Sequence, residues 1–136
     1  MAELYFKRLI EKRGCADKFV VDSFGTSDEE EGNGIYPPAA RELNRHGITG
    51  THVAKKITPR DIAALDYILV ADGKNLARLF NISSSADGKA YRLCDFTINP
   101  RDVIDPWYSR NFEQAYIDIA DGCDCFLKYL EDKSII

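Results

Sequence analysis

Apolar residues fall along the chain in short bursts and helical stripes, never in long runs. Over residues 2–13, Ala2, Tyr5, Phe6, Leu9 and Ile10 share one face while Lys7, Arg8, Glu11 and Lys12 take the other. That spacing predicts an amphipathic helix, with Gly14 as its stop. Phe19-Val20-Val21 reads as a short buried strand running into Asp22-Ser23. Pro37 and Pro38 open a second helix that Gly47 closes, and Thr58-Pro59-Arg60-Asp61 opens a short third one. Tyr67-Ile68-Leu69-Val70 is a second buried strand, after which Asp72 caps a helix reaching about Phe80. Ala90-Tyr91-Arg92-Leu93 is a third, short strand. After a loop, Phe112, Ala115, Tyr116, Ile119, Cys123, Phe126, Leu127 and Leu130 trace one stripe of a long helix over residues 111–130.

Continuously apolar strands alternating with helices imply an α/β fold, a parallel sheet covered on both faces in three layers. Such sheets bind ligands beyond the carboxyl ends of their strands. Here those ends carry Asp22-Ser23, Asp72 and the loop beyond Asp95. Two features sit oddly with that architecture: the chain opens on a helix, and three short strands are few.

The length of 136 residues suits one domain. A formal net charge of −4 lacks the basic footprint of a nucleic-acid binder or a membrane-surface protein. The longest apolar stretch, near Tyr67, is far too short to span a bilayer, and residues 1–14 carry six charges where a signal peptide needs an uncharged core. A cytoplasmic location follows as the expectation. Cys15, Cys94, Cys123 and Cys125 are too few and too irregular for a disulfide framework. With two histidines and no His/Cys cluster, no metal site and no cofactor is expected. The acidic run Asp28-Glu29-Glu30-Glu31 reads as a solvated loop.

Asp105-Pro106-Trp107-Tyr108 is the segment with most chemical promise. Pro106 restricts Asp105 to extended backbone, and a carboxyl beside two rings is placed to act as a general acid. Read from spacing alone, a turn whose rings plug a sheet edge is the better reading of the same four residues.

Along nearly its whole length the sequence resembles the low-molecular-weight protein-tyrosine phosphatase family. The matching blocks are Met1-Ala2-Glu3, Val21-Asp22-Ser23 with Thr26-Ser27, Arg45-His46-Gly47-Ile48, and His52-Val53-Ala54-Lys55-Lys56-Ile57-Thr58. Asp66-Tyr67-Ile68-Leu69, Asp72 with Asn75-Leu76, and Asp105-Pro106-Trp107-Tyr108 with Phe112-Glu113 complete them in the family's order. The resemblance implies hydrolysis of protein phosphotyrosine through a cysteinyl-phosphate. In that scheme Asp105 is the general acid, Trp107 and Tyr108 wall the phenol slot, and Ser23 and His52 brace the phosphate loop. The implied partner is a phosphotyrosine protein or a small aryl phosphate.

One departure stands out. The family's nucleophile lies in a C-x5-R-[ST] loop between its first strand and first helix, and this sequence begins at the block that follows. Six residues after Cys15, Cys94, Cys123 and Cys125 come Val21, Pro100, Tyr129 and Glu131, so none of them supplies the motif. The expectation is a single domain over residues 1–136, truncated at its N-terminus. It would lack the family's central first strand, be inactive alone, and be open to self-association through an unpaired sheet edge. A non-catalytic phosphatase-like binding module is the alternative from another class. An arsenate reductase would need further cysteines within residues 71–93, which hold none, and an arginine-phosphate preference stays open.

Overall fold

Capping chemistry decides where the helices start. The computed structural model describes residues 1–26 and 32–136, so the acidic run from Asp28 lies outside the described residues. Helix α1 spans Ala2–Lys12 and α2 spans Pro37–Arg45, the latter opened by its proline pair. Gly47 follows α2 at φ +75°, a backbone that glycine adopts without a Cβ clash. Thr58 and Asp61 form a reciprocal capping box at α3 (Pro59–Ala64). The Asp72 carboxylate accepts the Asn75 N–H at 2.8 Å and starts α4 (Gly73–Ile82). Asp105 and Asn111 do the same for the short α5 (Pro106–Ser109) and the long α6 (Phe112–Asp132).

The sheet is parallel. Strand β1 (Ile68–Val70) pairs with β2 (Ala90–Arg92), Leu69 lying opposite Tyr91. Alternation along the strands divides the core. Ile68, Val70 and Ala90 join Ile62 of α3 and Leu79 of α4 on one face. Tyr67, Leu69 and Ala71 join Phe6 and Ile10 of α1 with Ile119, Phe126 and Leu127 of α6 on the other. Helices thus cover both faces of the sheet, as the alternation of elements predicts. A third cluster of Leu4, Leu43 and Ile48 seats α2 on α1. Gly122 lets α6 come close to the sheet side of the core, since a Cβ there would stand 2.5 Å from Leu93 Cγ.

Residues 19–21 correct one expectation. They are not a strand. Phe19 has extended backbone (φ −127°, ψ 145°), and side chains alternate as in a strand. Phe19 and Val21 pack on the α1/α6 cluster while Val20 is 99% exposed. A strand also needs a ladder, and the ladder built by β1 and β2 does not extend to this segment. Pairing resumes further on, where Gly25 forms a parallel bridge with Lys56. The segment expected as a loop before the long helix also contains one helical turn, α5. Among the described residues no helix is long and apolar enough to cross a membrane.

Candidate active site

Three segments converge beyond the carboxyl end of β1. Val103 N–H donates to the Ala71 carbonyl at 2.8 Å, and the Asp102 carboxylate accepts both the Gly73 N–H and the Arg92 guanidinium. The loop carrying Asp105 is thereby fastened to the end of the strand and the start of α4. Thr26 Oγ1 donates to Asn75 Oδ1 at 3.4 Å, drawing the segment after Ser23 to the same helix start. Arg101 anchors the loop from behind through Asp118 and Asp121 of α6, at 2.9 and 3.0 Å.

Asp105 stands at the head of α5 with extended backbone (φ −62°, ψ 116°), as the proline after it requires. Its Oδ1 accepts the Trp107 N–H at 2.9 Å, and Oδ2 has no partner among the described residues. The carboxyl is exposed. Trp107 does not stack on Tyr108. It packs on Tyr36, centroids 4.9 Å apart, and Tyr36 in turn meets Phe112. Arg110 lies over the Trp107 ring at 5.4 Å and donates to the Tyr36 hydroxyl at 3.4 Å. Tyr108 stays 82% exposed, outside this wall. Tyr36 and Arg110 were not singled out from sequence. The signal present was Tyr36 immediately before Pro37, held extended like Asp105.

Ser23 and His52 come together around a third residue. Ser23 Oγ donates to Glu3 Oε1 at 2.5 Å and lies 3.3–3.4 Å from both ring nitrogens of His52. His52 Nδ1 is 3.1 Å from the same Glu3 oxygen. Glu3 sits in the first turn of α1, its side chain 8% exposed, and Lys7 one turn on donates to its other oxygen at 2.6 Å. Nothing local in the sequence marks this role for Glu3, because its partner Ser23 lies 20 positions away. Asp22 beside it is paired with Lys55 at 2.7 Å. Glu3, Asp22 and His52 bring ligand atoms within 4.8 Å of one another, a cluster that sequence spacing did not disclose. Both carboxylates already face a lysine, so the positive charge that a cation would bring is supplied by the chain.

Burial pushes the Glu3 carboxyl up, but hydrogen bonds from Lys7 and Ser23 and the nearby positive charges outweigh it. The net result is a carboxyl held below its ordinary value. A depressed folded pKa adds stability that is complete above the unfolded value of about 4.3 and is lost as pH falls through the folded one. Wild type should therefore lose thermal stability more steeply than Glu3→Gln on acidification from pH about 5 to 3. Parallel melting curves for the two proteins would refute the assignment.

Three of the thiols point away from nucleophilic chemistry. Burial pushes Cys94, Cys123 and Cys125 above the ordinary thiol value, and the Asp121 and Asp124 carboxylates add to this. A nucleophilic cysteine needs the opposite shift.

The two clusters are joined through the chain between them. Gly32 N–H donates to the Ala54 carbonyl and Ala54 N–H to the Asn33 carbonyl, both at 2.7 Å, so the segment bearing His52 lies beside the one leading to Tyr36. The Ser23–Glu3–His52 cluster is thus linked by the backbone to the segment of the aromatic wall that has the Asp105 carboxyl at its edge. Residues 1–135 match the family model described as low molecular weight phosphotyrosine protein phosphatase. The chain belongs to that family. It is 34% identical over 137 residues to the human enzyme of that name, covering 94% of this chain and 85% of the relative. Among solved structures, YfkJ of Bacillus subtilis superposes with a TM-score of 0.91 at 29% identity, covering 97% of this chain and 86% of that one. A Drosophila arginine phosphatase superposes at 0.86 with 27% identity, covering 94% and 87%.

Proposed function

We propose that these residues form the acid and substrate-recognition side of a phosphotyrosine protein phosphatase acting in the cytoplasm, where its four cysteines stay as free thiols. The observation that carries the reading is Asp105 at the head of the Trp107–Tyr36 wall. A phenol ring lying against that wall brings its ester oxygen toward the free Oδ2. As a thiolate displaces the ester and the P–O bond breaks, the Asp105 proton passes to the departing phenolate. The resulting carboxylate then takes a proton from the water that hydrolyses the cysteinyl-phosphate. Ser23, its hydroxyl hydrogen committed to Glu3, keeps lone pairs free to accept from the backbone of a phosphate loop, and His52 holds it there. Tyr108, exposed next to the wall, is the outer contact for the substrate.

Positioning and charge stabilisation supply nearly all catalysis of phosphoryl transfer. The 136-residue polypeptide, without C-x5-R-[ST], should release no p-nitrophenol from its phosphate above background. The same polypeptide preceded by a strand and a C-x5-R-[ST] loop should turn over aryl phosphates. A burst of phenol or a trapped phosphocysteine in the 136-residue polypeptide would overturn the assignment of roles. Preference of the longer protein for phosphoarginine would overturn the substrate.

A further inference from the structure

Next to the aromatic wall, α2 and the start of α6 enclose a solvent-open concavity of about 430 Å3. Its charged and polar lining is Arg41, Glu42, Arg45, Arg110, Asn111 and Glu113. In a chain of net charge −4, three guanidinium groups in one hollow are unusual. Their partners decide what the hollow can hold. Glu42 is buried and fully used, its two oxygens facing Arg45 at 3.2 Å and His46 at 2.9 Å, which also neutralises Arg45. Arg41 and Arg110 are exposed and have no acidic partner among the described residues. Asn111 caps α6 by accepting the Gln114 N–H, leaving the first amides of that helix without an intrahelical acceptor. Against these donors stands Glu113, a carboxylate with no basic partner among the described residues.

Arg110 belongs to both places. It lines the hollow, and it also covers Trp107 and bonds Tyr36, from a backbone at φ +60° that a non-glycine residue adopts at a cost. The aromatic wall and the hollow therefore share an edge at Arg110. Two guanidiniums without an acidic partner among the described residues, on separate elements, suit two spaced carboxylates better than one compact anion.

We propose that this concavity binds an acidic polypeptide segment. Resting on the phosphatase reading above, the segment is the stretch of protein substrate adjoining its phosphotyrosine. The test needs no catalysis. Fluorescein-labelled Tyr-Glu-Glu-Glu-Glu and Tyr-Gln-Gln-Gln-Gln peptides are titrated with the 136-residue protein and followed by anisotropy. The glutamate peptide should bind more tightly and weaken with added salt. Arg41→Ala and Arg110→Ala should each weaken it by about two- to fivefold, as expected for exposed charge contacts, and the double variant by about tenfold. Glu113→Gln should tighten it. Arg60→Ala, which removes an exposed arginine from α3 that has no acidic partner among the described residues, should leave it unchanged. Equal binding of the two peptides, or an equal loss from Arg60→Ala, would overturn the proposal. So would displacement by inorganic phosphate at concentrations far below those at which chloride acts. Failure of the phosphatase reading appears elsewhere, in the aryl phosphate assay, and leaves these titrations untouched.

Discussion

Asp105→Asn in the loop-bearing protein should slow hydrolysis of phenyl phosphate by about 10²–10⁴ while barely affecting p-nitrophenyl phosphate. An ordinary phenol has a pKa near 10, so its anion leaves slowly unless a proton arrives with the bond cleavage. A nitrophenolate departs unaided. The carboxyl at the head of α5 has one oxygen held by the Trp107 amide and the other without a partner among the described residues, the arrangement an acid needs to keep its aim while delivering a proton. A series of aryl phosphates of falling leaving-group pKa reads this directly. A constant loss across the series would mean that Asp105 only caps α5. Asp102, three residues upstream, is the control. Its Oδ1 holds the Gly73 amide and the Arg92 guanidinium, which ties the carboxylate to α4 and β2 and not to the aromatic wall, so Asp102→Asn should show no such dependence.

Arg101→Ala should cost about 2–3 kcal/mol of stability. Arg101 donates to Asp118 through two nitrogens and to Asp121, Thr97 and the Asn99 carbonyl through its remaining donors. Asp118 is only 7% exposed, and with the arginine gone its carboxylate keeps the Gln114 amide alone. Breaking a fully buried pair costs more, but Arg101 is 27% exposed and water takes up part of the loss. For a domain of this size the melting temperature should fall by roughly 8 °C. Removing both partners, as Arg101→Met with Asp118→Leu, should recover most of it, because no buried charge is then left alone. Urea melts of the three variants decide. A single variant within about 0.5 kcal/mol of wild type would show that the network adds nothing to stability.

Helices were legible because their signals are local. Thr58 and Asp61, Asp72 and Asn75, and the Pro37-Pro38 pair lie within a turn of the ends they define. Strands were less so. Phe19-Val20-Val21 carries the right residues and even the right alternation, yet a ladder needs a neighbour that no local pattern reports. The site divides the same way. Asp105 and its following rings were visible as a contiguous tetrad, and Ser23 with His52 through the family's blocks. Glu3 meets Ser23 across 20 positions, and Arg110 meets Tyr36 across 74. Such pairs exist only once the chain has folded. Tyr108, next to Trp107 in sequence, stands outside the wall because one helical turn sends neighbouring side chains in different directions.

The fastening of residues 101–103 to α6, β1 and α4 has a consequence for timing. Enzymes that keep an acid on a mobile flap must close it in every catalytic cycle, and closing or reopening it often limits turnover. Here the loop's freedom is surrendered once, when the chain folds, to the Ala71 carbonyl, the Gly73 amide and the carboxylates of α6. In the proposed enzyme, Asp105 follows two residues beyond this anchor, so less entropy of alignment would enter the barrier of each turnover.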